Sequence, residues 1–142
     1  MSRGEWTESG FGYELLNSSN LPNVREFIAK NGGRIGLGAE ILEAAAESED
    51  EEELNGCLKD SIPLTVALII NDMEGFNLFS GFDGNKETGA TPHIGVSPAL
   101  PWQFSVRENV ITEARAVQIL QKYAKVLGVK EEPDDFVLHY FG

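Results

Sequence analysis

Pro63-Leu64-Thr65-Val66-Ala67-Leu68-Ile69-Ile70-Asn71 is the stretch on which the fold turns. Its apolar residues are contiguous and partly β-branched, which is the composition of a short strand covered on both faces. Asn71-Asp72-Met73-Glu74-Gly75 then supplies turn chemistry, and Phe76 to Phe82 alternates well enough to return as an antiparallel partner, so the reading is a hairpin.

Upstream, the pattern is helical. Asn20 stands where an N-cap belongs, Pro22 falls in the first turn, and Val24, Phe27 and Ile28 share one face of a helix over Leu21 to Lys30 that Asn31-Gly32-Gly33 stops. Ile41, Leu42 and Ala45 stripe a second helix from Ala39 to about Glu47. Ser48 with Glu51 reads as a capping box that opens further turns with Leu54, Cys57 and Leu58 inward. Residues 1–12, polar and glycine-rich around Trp6 and Phe11, read as a loosely held N-terminal arm.

Downstream, Asp83 to Pro101 is a long connection containing a short strand at His93 to Ser97, and Trp102 to Val106 is a further strand candidate. Thr112 caps a helix from Glu113 to Leu127 with Val117, Leu120, Ala124 and Leu127 on one face, and Gly128 ends it. Phe136 to Phe141 fits a closing strand, although Pro133-Asp134-Asp135 is also a helix-start pattern. The expected fold is therefore α+β: one compact domain over residues 1–142, with a small, mostly antiparallel sheet packed by three to four helices.

Charge narrows the function classes. The 142 residues carry a formal net charge of −12, which repels nucleic-acid backbones and anionic membrane surfaces and attracts basic protein surfaces. No apolar run reaches membrane-spanning length, no secretory pattern opens the chain, and Cys57 is the single cysteine, so a soluble cytoplasmic protein is expected. The charge is also concentrated. Between Gly38 and Asp60, nine carboxylates face Lys59 alone, with Glu47, Glu49, Asp50, Glu51, Glu52 and Glu53 nearly consecutive. Carboxylates grouped on a helical segment can imitate a row of phosphates and so occupy a basic groove. Their plainer role is to complement a helix N-terminus and keep the chain dispersed.

The remaining motifs are weak. Asp83-Gly84-Asn85-Lys86-Glu87-Thr88-Gly89 begins like a calcium loop, but Thr88 and Ile94 stand where the glycine and bidentate glutamate are needed, so an Asx-type turn is the better reading. Gly32 to Gly38 follows a helix and lacks a third fingerprint glycine, which makes it a helix-to-helix connection. Cys57, His93 and His139 form no catalytic or zinc spacing, and no cofactor pattern is present. Pro98-Ala99-Leu100-Pro101 is a minimal PxxP whose neighbour Trp102 is the best aromatic contact in the long connection.

In size and charge alone the chain resembles the small acidic inhibitors that phages and mobile elements use against restriction or CRISPR nucleases. The expected function is an acidic, non-enzymatic protein-binding domain, an inhibitor or nucleic-acid mimic that binds a basic protein surface through Glu47, Glu49, Asp50, Glu51, Glu52, Glu53 and Trp102. The alternative is a small enzyme or ligand-binding domain with a pocket under the 83–102 loop.

Overall fold

The computed structural model describes residues 5–17, 19–58, 61–85, 89–96 and 106–141. The architecture is α+β. A four-stranded antiparallel sheet of β1 (Glu5–Glu14), β2 (Phe79–Asn85), β3 (Gly89–Val96) and β4 (Asp134–Phe141) runs in the order β2-β3-β1-β4. Five α-helices accompany it: α1 (Leu21–Asn31), α2 (Ala39–Glu47), α3 (Glu51–Cys57), α4 (Ile62–Glu74) and α5 (Val106–Leu127).

The expected strand at Pro63 to Asn71 is instead the middle of α4. Ser61 caps this helix by accepting a bond from the Leu64 N–H at 3.4 Å, Pro63 sits in the first turn, and Gly75 closes it in the left-handed conformation at φ 63°. Ile62, Pro63, Thr65, Val66, Ala67, Ile69 and Ile70 are all buried, so the helix is enclosed on most of its circumference. A helix buried nearly all round shows no 3.6-residue period, and its apolar run then looks like that of a buried strand. Ile69 and Ile70 are essentially inaccessible, and burying side chains of this kind contributes about 1.5–3 kcal/mol each.

The hairpin moves with it. Asn71 lies in the last turn of α4, where its side chain accepts from the Leu78 N–H at 2.7 Å and donates to the Leu78 carbonyl at 3.1 Å, steering the chain into β2. β2 pairs with β3, with Phe79 opposite Gly95 and Asn85 opposite Gly89, and not with residues 63–71. The long connection thus contains a hairpin. The expected strand at His93 to Ser97 falls within β3 up to Val96.

The N-terminal reading is also corrected. Residues 5–12, expected to be part of a loose arm, belong to β1, which lies inside the sheet between β3 and β4, with Tyr13 opposite Ile94 and Gly10 opposite Phe136. What β1 buries is chiefly backbone, so its low hydrophobicity concealed it. Phe11, Tyr13 and Leu15 turn toward the helical core, whereas Gly10 and Gly12 lie on the opposite face. A Cβ on Gly12 would stand 2.1 Å from the Ile94 carbonyl oxygen, and one on Gly10 would stand 2.6 Å from the Phe136 ring. On that glycine face the rings of Phe79 and Phe136, from the two edge strands, lie 6.0 Å apart. Edges of a flat four-stranded sheet are about 14 Å apart, so both rings lean inward over the central glycines.

Helix α5 begins at Val106, so Thr112 is interior to it and is not its cap, and the strand candidate at 102–106 is outside the described residues except for Val106, which is helical. Its buried stripe is Ala116, Ile119, Leu120, Tyr123, Ala124 and Leu127, and Gly128 at φ 70° ends it as expected. β4 settles residues 136–141 as strand. Asn20 precedes α1, but its side chain caps nothing in that helix. It is 2 % exposed, accepts from the Asn17 N–H at 2.7 Å, and donates to the Leu15 and Leu127 carbonyls at 2.7 and 2.9 Å. It joins the end of β1, the start of α1 and the end of α5.

Candidate functional site: the acidic face of α2 and α3

Glu40, Glu43 and Glu47 lie on α2 and Glu51, Glu52 and Glu53 on α3, with Glu49 and Asp50 in the link; all eight are exposed. The link is rigidly held. The Ser48 hydroxyl donates to the Ala44 carbonyl at 2.9 Å, and the Arg25 guanidinium of α1 bonds the Ser48 carbonyl.

The expected capping box is displaced by two residues. Asp50, not Ser48, is the N-cap of α3 and accepts from the Glu53 N–H at 2.8 Å, while the Glu53 carboxylate reaches back to the Glu49 N–H at 2.9 Å. Asp50 and Glu53 are thereby committed to local backbone. Glu51 and Glu52 occupy the first turn of α3, where their charge complements the positive helix end. Among the described residues, the ion pairs are Lys30 with Glu26, Arg34 with Asp72, and Arg115 and Lys122 with Glu74, none of them on this face. Trp102, expected to join the site, lies outside the described residues.

Beside these carboxylates is an open groove of about 330 Å³ lined by Glu51, Glu52, Asn55, Ile62, Pro63 and Phe82. Three elements, α3, α4 and β2, meet there. Phe82 is thirty positions from Glu52 in the chain, and no spacing pattern joined it to the acidic run. Asn55 secures the junction by accepting from the Ile62 N–H at 3.1 Å.

The other candidates separate. Cys57 is half-buried, with its sulfur 3.7 Å from the Ser48 hydroxyl. His93 lies on β3 with Nδ1 3.0 Å from the Thr91 carbonyl and its ring 4.9 Å from that of Phe136. No hydrogen bond joins Cys57 to His93 among the described residues, and none of those residues form a group of three or more potential metal ligands. The Gly32 to Gly38 segment is a connection from α1 to α2 containing a short 3-10 turn (Gly32–Ile35). Residues 86–88 of the calcium-like loop and the PxxP residues 98–101 are outside the described residues.

One further charged cluster joins α4 to α5. Glu74 accepts from Lys122 at 2.8 Å, from the Tyr123 hydroxyl at 2.7 Å and from Arg115 at 3.3 Å. The Lys122 bond, followed by that of Tyr123, holds the Glu74 carboxyl below its usual range. Burial, reinforced by Glu74, pushes the Tyr123 hydroxyl up to about 12. Every charge in this cluster has a partner within it, so it acts as a staple between helices.

The chain matches no protein-family model, no curated protein and no solved structure. No helix among the described residues is long and apolar enough to cross a membrane.

Proposed function

We propose that the chain is an acidic, non-enzymatic protein-binding domain whose α2–α3 face occupies a basic site on a nucleic-acid-processing protein, in the manner of an anti-defence inhibitor from a phage or mobile element. One observation carries the reading: Glu47, Glu49, Glu51 and Glu52 are exposed on two consecutive short helices, and no ion pair among the described residues uses them. Carboxylates without local cations keep their field for a partner, whereas committed ones such as Glu74 do not. Asp50 and Glu53 support this face as caps of α3 and hold the link that carries Glu49.

The test is affinity capture from the native host on immobilised wild-type protein and on the E47K/E49K/E51K/E52K variant. The expected partner binds nucleic acid, elutes as salt rises, is competed by duplex DNA and is lost on the reversed variant. Retention by that variant, or capture indifferent to both salt and DNA, overturns the reading.

A further inference from the structure

We infer that the groove between α3, α4 and β2 receives an arginine side chain of the protein partner; this rests on the acidic-face reading and names the group that face takes. The lining combines two carboxylates, Glu51 and Glu52, with an apolar surface from Ile62, Pro63 and the half-buried Phe82. A carboxylate pair beside an aromatic ring fits a cation with a flat, weakly hydrated head and an aliphatic stem. Guanidinium stacks on a ring face and forks to carboxylate oxygens, whereas a lysine ammonium keeps its hydration and bonds as a point charge.

An anion is disfavoured by the backbone. The start of α4 borders the groove, yet its first-turn donors are used: Ile62 N–H bonds Asn55, Leu64 N–H bonds the Ser61 hydroxyl, Thr65 N–H bonds the Ser61 carbonyl, and Pro63 has none. Each helix start contributes only about half a positive charge, so the two that meet here are outweighed by Glu51 and Glu52 with Glu49 and Asp50 alongside. A purely apolar occupant is disfavoured too, because it would strip water from both carboxylates and return no hydrogen bond.

The experiment titrates the full chain with hexa-arginine and hexa-lysine peptides by calorimetry at low ionic strength. The variants are Phe82→Leu, Glu51→Gln with Glu52→Gln, and Glu47→Lys with Glu49→Lys, and circular dichroism confirms the fold of each. Wild type is expected to prefer hexa-arginine, and Phe82→Leu to weaken that peptide by about three- to tenfold while leaving hexa-lysine nearly unchanged. Glu51→Gln with Glu52→Gln, both exposed positions, reduces the preference without touching the core. Equal affinity for the two peptides, or binding that only Glu47→Lys with Glu49→Lys disturbs, overturns the arginine groove while leaving the acidic face standing. Binding of neither peptide overturns both.

Discussion

Replacing Asn20 by alanine removes one accepted and two donated hydrogen bonds at a site only 2 % exposed, leaving the Asn17 N–H and the Leu15 and Leu127 carbonyls without this partner. At about 1 kcal/mol net for each bond, the expected loss is about 3 kcal/mol, a large fraction of the 5–15 kcal/mol typical of a domain. With a urea m-value of about 2 kcal/mol/M, the denaturation midpoint falls by about 1.5 M at unchanged slope. Asn20→Asp separates two explanations. An ordinary N-cap tolerates aspartate about as well as asparagine. Here aspartate keeps the acceptor for Asn17 but loses both donations and turns a buried oxygen toward the two carbonyls, so it is expected to be at least as destabilising as alanine. Fluorescence-monitored urea unfolding of the three proteins is the assay. An aspartate variant as stable as wild type, or an alanine midpoint lowered by less than about 0.5 M, refutes the three-way junction.

The glycine face and the titrating groups give further tests. Gly12→Ala is expected to cost about 3 kcal/mol or more, because its Cβ meets the Ile94 carbonyl and the Gly95 backbone of β3; Gly10→Ala meets only the rings of Phe136 and Phe79, costs less, and is partly rescued by Phe136→Leu. Equal thermal stabilities for the two alanine variants would contradict this. Glu74, whose carboxyl is held low chiefly by the Lys122 bond, contributes stability that is present above its ordinary value of 4.5 and lost as pH falls below it, and Glu74→Gln flattens that acid limb in chemical denaturation. Burial raises Tyr123 from 10.0 to about 12, so the unfolded chain releases this proton first and stability falls by about 1.4 kcal/mol per pH unit across that window. Tyr13, also raised by burial and donating to the Leu120 carbonyl at 2.7 Å, steepens the same limb; alkaline unfolding unchanged by Tyr123→Phe would show that the hydroxyl is not protected.

Local signals made α1, α2 and the ends of α5 and α4 legible. Pro22 and the Val24, Phe27 and Ile28 stripe bound and face α1 without reference to the rest of the chain, and Gly128 needs only its own φ of 70° to stop α5. Ser61, Pro63 and Gly75 likewise bracketed a thirteen-residue helix, but the apolar run between them drew the reading toward a strand. The acidic run was visible as charge. Its division into capping carboxylates and outward ones was not, because Ser48 and Asp50 both offer an acceptable cap and only the backbone path chooses between them.

The sequence by itself determined the charge and where it accumulates, the α+β class, and the helices whose caps and stripes are local. Only the tertiary structure decided that α4 is a helix, that β1 is an inner strand and that Phe82 borders Glu51 and Glu52. Enclosure by neighbours erases the periodicity of α4, and β1 is held by backbone pairing that glycine permits but does not announce. The groove joins residues far apart in the chain, so its existence depends on packing that no spacing rule records.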